Sequence, residues 1–281
     1  MISEERISRR DFIKGSFGSL LILFFPHISL LEAKSELIVT KGKRLPTLDR
    51  YIKRGKSVFI KPNGAWARRP EQAATTNPEI LKEVIKLCYE AGADKVYVWE
   101  HSCDNHKFAF EKNRIKDVAK KSGGYFYSGH TKKLYEKITI EKGEVLKSAL
   151  VPKILLDSES FINIPIAKHH AATTLTCCLK NLIGCTWAMG KFHKKNLHQA
   201  IADINTCLKP TLNIVDATRI LKTNGPKGPG KIEFKDTIIV GEDGVACDAY
   251  ASTLFGWSYK DIPHLKIAER MGIGNPAFTV L

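Results

Sequence analysis

The sequence predicts an α/β fold with a mostly parallel or mixed sheet and flanking helices. Three observations carry this. Apolar runs rich in Val, Ile and Phe, such as 58–60 and 161–166, are short enough for buried strands. Between the first two runs stands a stretch with helical spacing, which makes a strand–helix–strand unit. The charged fraction of 26% and hydrophobic fraction of 43% are those of a globular chain of 281 residues.

In chain order, Ser8-Arg9-Arg10-Asp11-Phe12-Ile13-Lys14 matches a twin-arginine export signature. The apolar run that follows, 17–31, contains Pro26 and is shorter than the roughly 20 residues a membrane span needs. We therefore read 1–34 as a twin-arginine signal or an uncleaved N-terminal anchor, and 35–281 as one α/β domain. An exported, periplasmic or extracytoplasmic location follows, with the twin-arginine translocation machinery as a partner. Residues 35–56 read as a basic leader.

The first strand is Ser57–Asn63, with Lys61 and Asn63 where it gives out; in open α/β sheets, ligands bind beyond the carboxyl ends of strands. The loop 64–76 with Arg68 and Arg69 is long enough for a binding loop or lid. Asn77-Pro78-Glu79 starts a helix in which Ile80, Leu81, Val84 and Ile85 share one face, and Gly92 stops it. Lys95–Glu100 is the next strand. His101, Cys103 and His106 after it are close enough to suggest a metal set that needs a further ligand. A helix over 108–122, short strands in 125–150 and apolar runs at 151–157 and 161–166 follow.

Next comes the densest chemistry: Lys168, His169 and His170 in a turn, then a helix running from a Thr173 or Thr174 cap to Gly184. Helical spacing puts Leu175, Cys178, Leu179, Leu182 and Ile183 on a core face, and Cys177, Lys180 and Asn181 on another. Cys177 is then the better candidate for chemistry, and Cys178 a core residue. Cys185 stands roughly 10 Å along the axis, beyond a shared metal or disulfide. Lys168, His170, Lys180 and the helix N-terminus would form a positive pocket suited to a carboxylate or phosphate. His193 is a candidate to join it. A helix over 196–208 is followed by a strand ending on Asp216 and a Gly/Pro-rich loop, 224–231, without Walker spacing. A strand over 237–240 leads to a helix capped by Asp243 and carrying Asp248, and a last helix spans 263–271.

The net charge of +15 lies almost entirely beyond residue 34, since the first 34 residues hold five Lys/Arg against four Asp/Glu. Such a field draws anions. Without a dense basic arm, a zinc finger or an RNA-binding aromatic motif, a small anionic ligand is favoured over nucleic acid. The seven cysteines include no C-x-x-C and no run of four, so a ferredoxin-type cluster motif is absent from this sequence.

Val58–Asn63, Thr75–Pro78, Ile162–Pro165 with Lys168-His169-His170, Leu179–Gly184, His193, Leu208-Lys-Pro210, Ile214–Asp216, Gly225-Pro226 and Asp243–Asp248 together resemble the bacterial and archaeal domain-of-unknown-function family 362. The resemblance covers roughly 55–275. It implies an α/β domain and a site built from the Lys/His turn, the Lys-Asn helix and the two late acids. It implies no established reaction.

Two function classes remain at this stage. One is an exported enzyme, metal- or cofactor-dependent, acting on a small anion: His170 or His193 as acid/base, Lys180 and Asp216 as further catalytic groups, Lys61, Asn63, Lys168 and Asn181 binding the ligand, and Asp243 and Asp248 holding a divalent metal. The other is a non-catalytic binding protein for an anion or metal ion.

Overall fold

The structure is a computed structural model that describes residues 34–187, 189–192 and 196–281. The twin-arginine signature and His193 lie outside the described residues.

Residues read as a leader begin with a strand, β1 (Ser35–Lys41). Then come β2 (Ser57–Pro62), α1 (Pro78–Glu90) and β3 (Lys95–Glu100). Asn77 caps α1 by accepting from the Glu79 amide, with Pro78 at the first helical position. The single helix expected over 108–122 is two, α2 (His106–Asn113) and α3 (Ile115–Lys121), because Arg114 between them has φ of 62° and breaks the ladder. After β4 (Tyr125–Ser128), the hairpin of β5 (Tyr135–Thr139) and β6 (Ser148–Pro152) forms its own two-stranded sheet, and α4 (Lys153–Leu156) leads into β7 (Ser160–Ile164).

The central stretch departs from the expected turn and helix. Ile166–His170 is a strand, β8, folded back on β9 (Thr174–Thr176), with Lys168 opposite Thr176 and His170 opposite Thr174. Helix α5 spans only Cys178–Asn181, and a 3₁₀ turn continues it over Leu182–Cys185. Thr173 lies in the turn and Thr174 is left-handed, with φ of 62°, so no helix starts there, and Leu175 and Thr176 pair with His169 and Lys168 instead. The remaining elements are α6 (Met189–Phe192), α7 (Leu197–Asn205), β10 (Leu212–Leu221), β11 (Ile232–Gly241), α8 (Gly244–Thr253), α9 (Pro263–Arg270) and β12 (Phe278–Val280).

The main sheet runs β12-β1-β11-β10-β7-β2-β3-β4, with β8 and β9 branching from β10. The pairs β2–β3, β3–β4, β2–β7 and β7–β10 are parallel, whereas β11 is antiparallel to both β10 and β1. The sheet is therefore mixed around a parallel centre. Strand alternation sends Val58, Ile60, Val96, Val98 and Ile162 to one face against Ile80, Leu81, Val84 and Ile85 of α1. Phe59, Trp99, Phe161 and Val215 point to the other, in a cluster with Ala200, Ile201 and Ile204 of α7 and with Val245 of α8. Helices on both faces of a parallel sheet make a layered α/β fold.

This topology locates the site. From β2 the chain winds outward through β3 and β4, while β7 lies on the opposite side of β2. The boundary between β2 and β7 is a topological switch point, where the carboxyl ends of strands leave a crevice. Pro165 ends the pairing of β7 with β2; beyond it β8 follows β10 and β9 instead. The sheet forks, and the crevice widens.

Candidate functional site

A cavity of about 550 Å³ fills the fork. Its polar lining comes from the ends of β2 (Lys61, Asn63) and β3 (Glu100, His101), from β8 (Lys168, His170) and from α5 (Lys180, Asn181). Trp66 and Trp187 form aromatic walls, and Pro226 from the Gly/Pro loop reaches the rim. Arg68 Nε donates to the Lys227 carbonyl at 2.9 Å, and the Lys227 ammonium lies 5.5 Å from the Trp66 ring centroid, so the 64–76 loop and the Gly/Pro loop meet beside the mouth. Arg68 and Arg69 themselves do not line the cavity.

Three lysines face one carboxylate here. Lys61 and Glu100 are both 1% exposed, and their charged atoms are 2.9 Å apart. Glu100 is held rigidly: its Oε2 also accepts the Gly64 amide at 2.5 Å, and its Oε1 accepts the His101 amide at 2.9 Å. The Lys61 ammonium also donates to the Pro62 carbonyl. Lys168 donates to Asn63 Oδ1 at 3.1 Å and to the Ala74 carbonyl. Burial, reinforced by Lys180, lowers Lys168 to about 7. Lys180 is lowered to about 8 by burial, against a small opposing pull from Cys103. Lys180 has no hydrogen-bond or ion partner among the described residues.

Four asparagines form a hydrogen-bonded chain that starts in the cavity lining with Asn63 and Asn181. Asn63 donates to Asn181 Oδ1 at 2.9 Å, Asn181 to Asn163 Oδ1 at 2.8 Å, and Asn163 to Asn213 Oδ1 at 2.9 Å. Asn213 ends the chain on the Glu242 carbonyl at 3.1 Å. That carbonyl can only accept, and the Lys168 ammonium at the other end donates, so every amide in the chain has one orientation.

The histidines have assignable tautomers. His101 Nδ1 lies 3.3 Å from the Thr186 carbonyl and 3.0 Å from Tyr135 Oη, whose own proton goes to the Gly129 carbonyl at 2.7 Å. Both neighbours act as acceptors towards His101, so its proton sits on Nδ1 and Nε2 carries the lone pair. Burial, then the neighbouring His130, lowers His101 to about 4, which keeps the ring neutral at pH 7. His170 has the opposite arrangement: Nδ1 accepts the Ala172 amide at 3.1 Å, which puts a proton on Nε2. His169 is turned away from the cavity and accepts the Gly225 amide at 3.0 Å. His106 stacks on His130 with centroids 4.6 Å apart, but His101, His106 and Cys103 do not converge as metal ligands.

The structure thus brings Lys61, Asn63, Lys168, His170, Lys180 and Asn181 around one cavity. It does not bring the three aspartates there. Asp216 accepts from the Asn77 amide at 2.7 Å and from the Thr218 amide and hydroxyl, and so ties β10 to the start of α1. Asp243 caps α8 through the Val245 and Ala246 amides and holds the Asn275 amide and Ser35 hydroxyl with its other oxygen. Asp248 accepts the Cys178 and Leu179 amides at 2.6 and 3.1 Å. The N-terminus of α5, expected to face an anion, is therefore already occupied by Asp248 inside the core, and burial raises that carboxyl to about 6. Cys177 is fully buried rather than presented to the pocket, and burial pushes its thiol up to about 12. Cys177, Cys178 and Asp248 have ligand atoms within 4.8 Å of one another, the one group of metal-ligating type with such spacing among the described residues.

Glu100 and His101 are the functional residues that sequence reasoning did not assign to this pocket. A signal existed, since both stand at the end of β3, as Lys61 does at the end of β2; strand order was needed to make those ends neighbours.

The profile of the domain of unknown function DUF362 matches residues 58–253. The chain belongs to the DUF362 family. A thylakoid-associated protein of Synechocystis is 26% identical over 241 residues, covering 80% of this chain and 71% of its own length. The solved structure of the lactate racemase apoprotein from Thermoanaerobacterium thermosaccharolyticum matches with a TM-score of 0.45 and 15% identity. The match covers 84% of this chain and 52% of that one, so the chain spans about half the racemase's length.

Proposed function

We propose that this DUF362 chain is an enzyme that binds a small carboxylate or phosphate in the fork cavity and moves a proton on it. The observation that carries the reading is the charge balance: among the described residues, Lys61, Lys168 and Lys180 face the single carboxylate Glu100, and Lys180 is without a partner. Ammonium groups removed from water among tryptophans attract an anion more strongly than surface lysines do. Lys180 and Lys168 bind the anionic group, and the asparagine chain fixes Asn63 and Asn181 in the lining. His101 Nε2, which carries the lone pair, accepts a proton, and His170 Nε2–H donates a hydrogen bond to the anion, the division of labour their opposite tautomers support. Export through the twin-arginine machinery belongs to the same reading and rests on Ser8–Phe12; an N-terminal reporter fusion with Arg9→Lys and Arg10→Lys tests it.

Calorimetric titration with phosphate and a panel of small carboxylates, in parallel with exchange of substrate protons into deuterated water, tests the reading. Binding with exchange that is lost in His101→Ala supports the enzyme. Binding without exchange indicates a non-catalytic anion-binding protein, and absence of binding removes the reading altogether.

A further inference from the structure

We propose that Lys180 is a nucleophile that forms an imine with the carbonyl of a small 2-oxo acid held in the fork cavity. The inference rests on the anion-site reading and names its substrate class. Its basis is the contrast among three lysines in one cavity. Lys61 is held by Glu100 at 2.9 Å and by the Pro62 carbonyl. Lys168 is held by Asn63 and the Ala74 carbonyl. Both are 1% exposed and locked in place. Lys180 has no such bonds, is only partly buried, and lines the open space. A lysine kept as a fixed cation needs acceptors. A lysine that must present a lone pair to an electrophile needs the reverse: no acceptor, partial desolvation and a neighbouring cation that disfavours its protonated form. Lys180 meets the first two conditions, and burial brings it to about 8, so a usable fraction is free amine near neutral pH.

The carboxylate of a 2-oxo acid would pair with Lys168 and place its adjacent carbonyl towards Lys180. The Nζ lone pair attacks the carbonyl carbon, and the C=O π pair moves to oxygen, which accepts a hydrogen bond from His170 Nε2–H. The nitrogen then loses a proton to His101 Nε2. His101 passes that proton to the oxygen, and a second proton, taken from solvent at the open mouth, lets the resulting hydroxyl leave as water and leaves the protonated C=N bond. No oxidant or reductant is needed. The protonated imine draws electrons from the neighbouring carbon and acidifies its C–H, which gives the proton transfer of the site a chemical purpose.

The test uses the full chain, with pyruvate and 2-oxoglutarate as carbonyl probes and propionate as a carbonyl-free anion. Sodium borohydride is added to each mixture, and peptide mass spectrometry maps any reduced adduct. The expected result is one adduct per chain, on Lys180, with pyruvate or 2-oxoglutarate and none with propionate. Lys180→Arg should abolish trapping, while unchanged circular dichroism confirms its fold. Adducts on Lys61, Lys168 or scattered surface lysines overturn the proposal without needing any variant. Propionate binding by calorimetry with no trapping at Lys180 overturns the imine and leaves the anion site standing. If none of the three acids binds and no adduct forms, both readings fall for this substrate class.

Discussion

Replacing Glu100 with Gln should move stability and ligand affinity in opposite directions. Glu100 is the one acid lining the cavity among the described residues, and both it and Lys61 are 1% exposed with 2.9 Å between charges. At an effective permittivity of about 20, Coulomb's law gives an attraction of about 6 kcal/mol at that separation. Gln keeps one acceptor oxygen but turns an NH₂ towards either the His101 amide or the Lys61/Gly64 pair, all of which are donors. Lys61 then stays buried without a counter-ion, a situation that typically costs about 3–5 kcal/mol. With a urea m-value of about 3 kcal/mol/M, the unfolding midpoint should fall by about 1–2 M. Adding Lys61→Met to Glu100→Gln removes the orphaned charge and should recover more than half of the loss. Meanwhile the cavity has lost the carboxylate that opposes its lysines, so phosphate or propionate should bind several-fold tighter to Glu100→Gln. A stability loss below about 1 kcal/mol, or the same loss with and without Lys61, would refute the claim that these two charges are energetically coupled. Weaker anion binding would refute the electrostatic account of the cavity.

Further outcomes follow from the same geometry. Lys168 has its folded pKa lowered from 10.5 to about 7, so between those values the unfolded chain holds a proton the native one has released. Its contribution to stability therefore rises with pH over that window, by at most about 5 kcal/mol, and Lys168→Met should flatten this part of the stability–pH curve relative to wild type. Lys180→Met should weaken anion binding about tenfold or more without lowering the unfolding midpoint, because a partly buried cation without partners is removed. At Gly184 a Cβ would lie 2.7 Å from Lys61 Cε, so Gly184→Ala should displace that side chain and cost about 1–3 kcal/mol, measured by urea unfolding. Anion binding should draw protons onto Lys168 and Lys180, so its apparent enthalpy should change with the ionisation enthalpy of the buffer, and affinity should fall as pH rises above about 8.

Much of the scaffold was legible in the sequence because local signals agreed with tertiary ones. The Asn77-Pro78 start, the apolar face of α1 and the Asp243 cap are each written in a few adjacent residues. The central stretch differs from its local pattern: 173–184 carries a helical apolar repeat, yet a left-handed residue at Thr174 and pairing of 174–176 with 168–170 keep its first part out of the helix. The lysines and asparagines of the pocket could be gathered as polar residues near strand ends. The acids could not. Asp216, Asp243 and Asp248 have equally suggestive positions in sequence, but their carboxylates satisfy backbone amides at distant chain segments. Glu100 reads as the last residue of an ordinary strand until β3 is placed beside β2.

The asparagine chain gives the site a direction. Its four amides are hydrogen-bonded head to tail, so their dipoles add, with the carbonyl end at Lys168 and the N–H end at the Glu242 carbonyl. Hydrogen bonds in series polarise one another. The chain thus extends from the cavity to the segment just before α8, and no single amide can flip without mispairing both neighbours. Asn213 touches no cavity atom, yet it anchors the sequence that aims Asn63 Oδ1 at an ammonium. Asn213 thereby helps fix the acceptor that Asn63 presents to the Lys168 ammonium, from a strand that does not itself line the cavity.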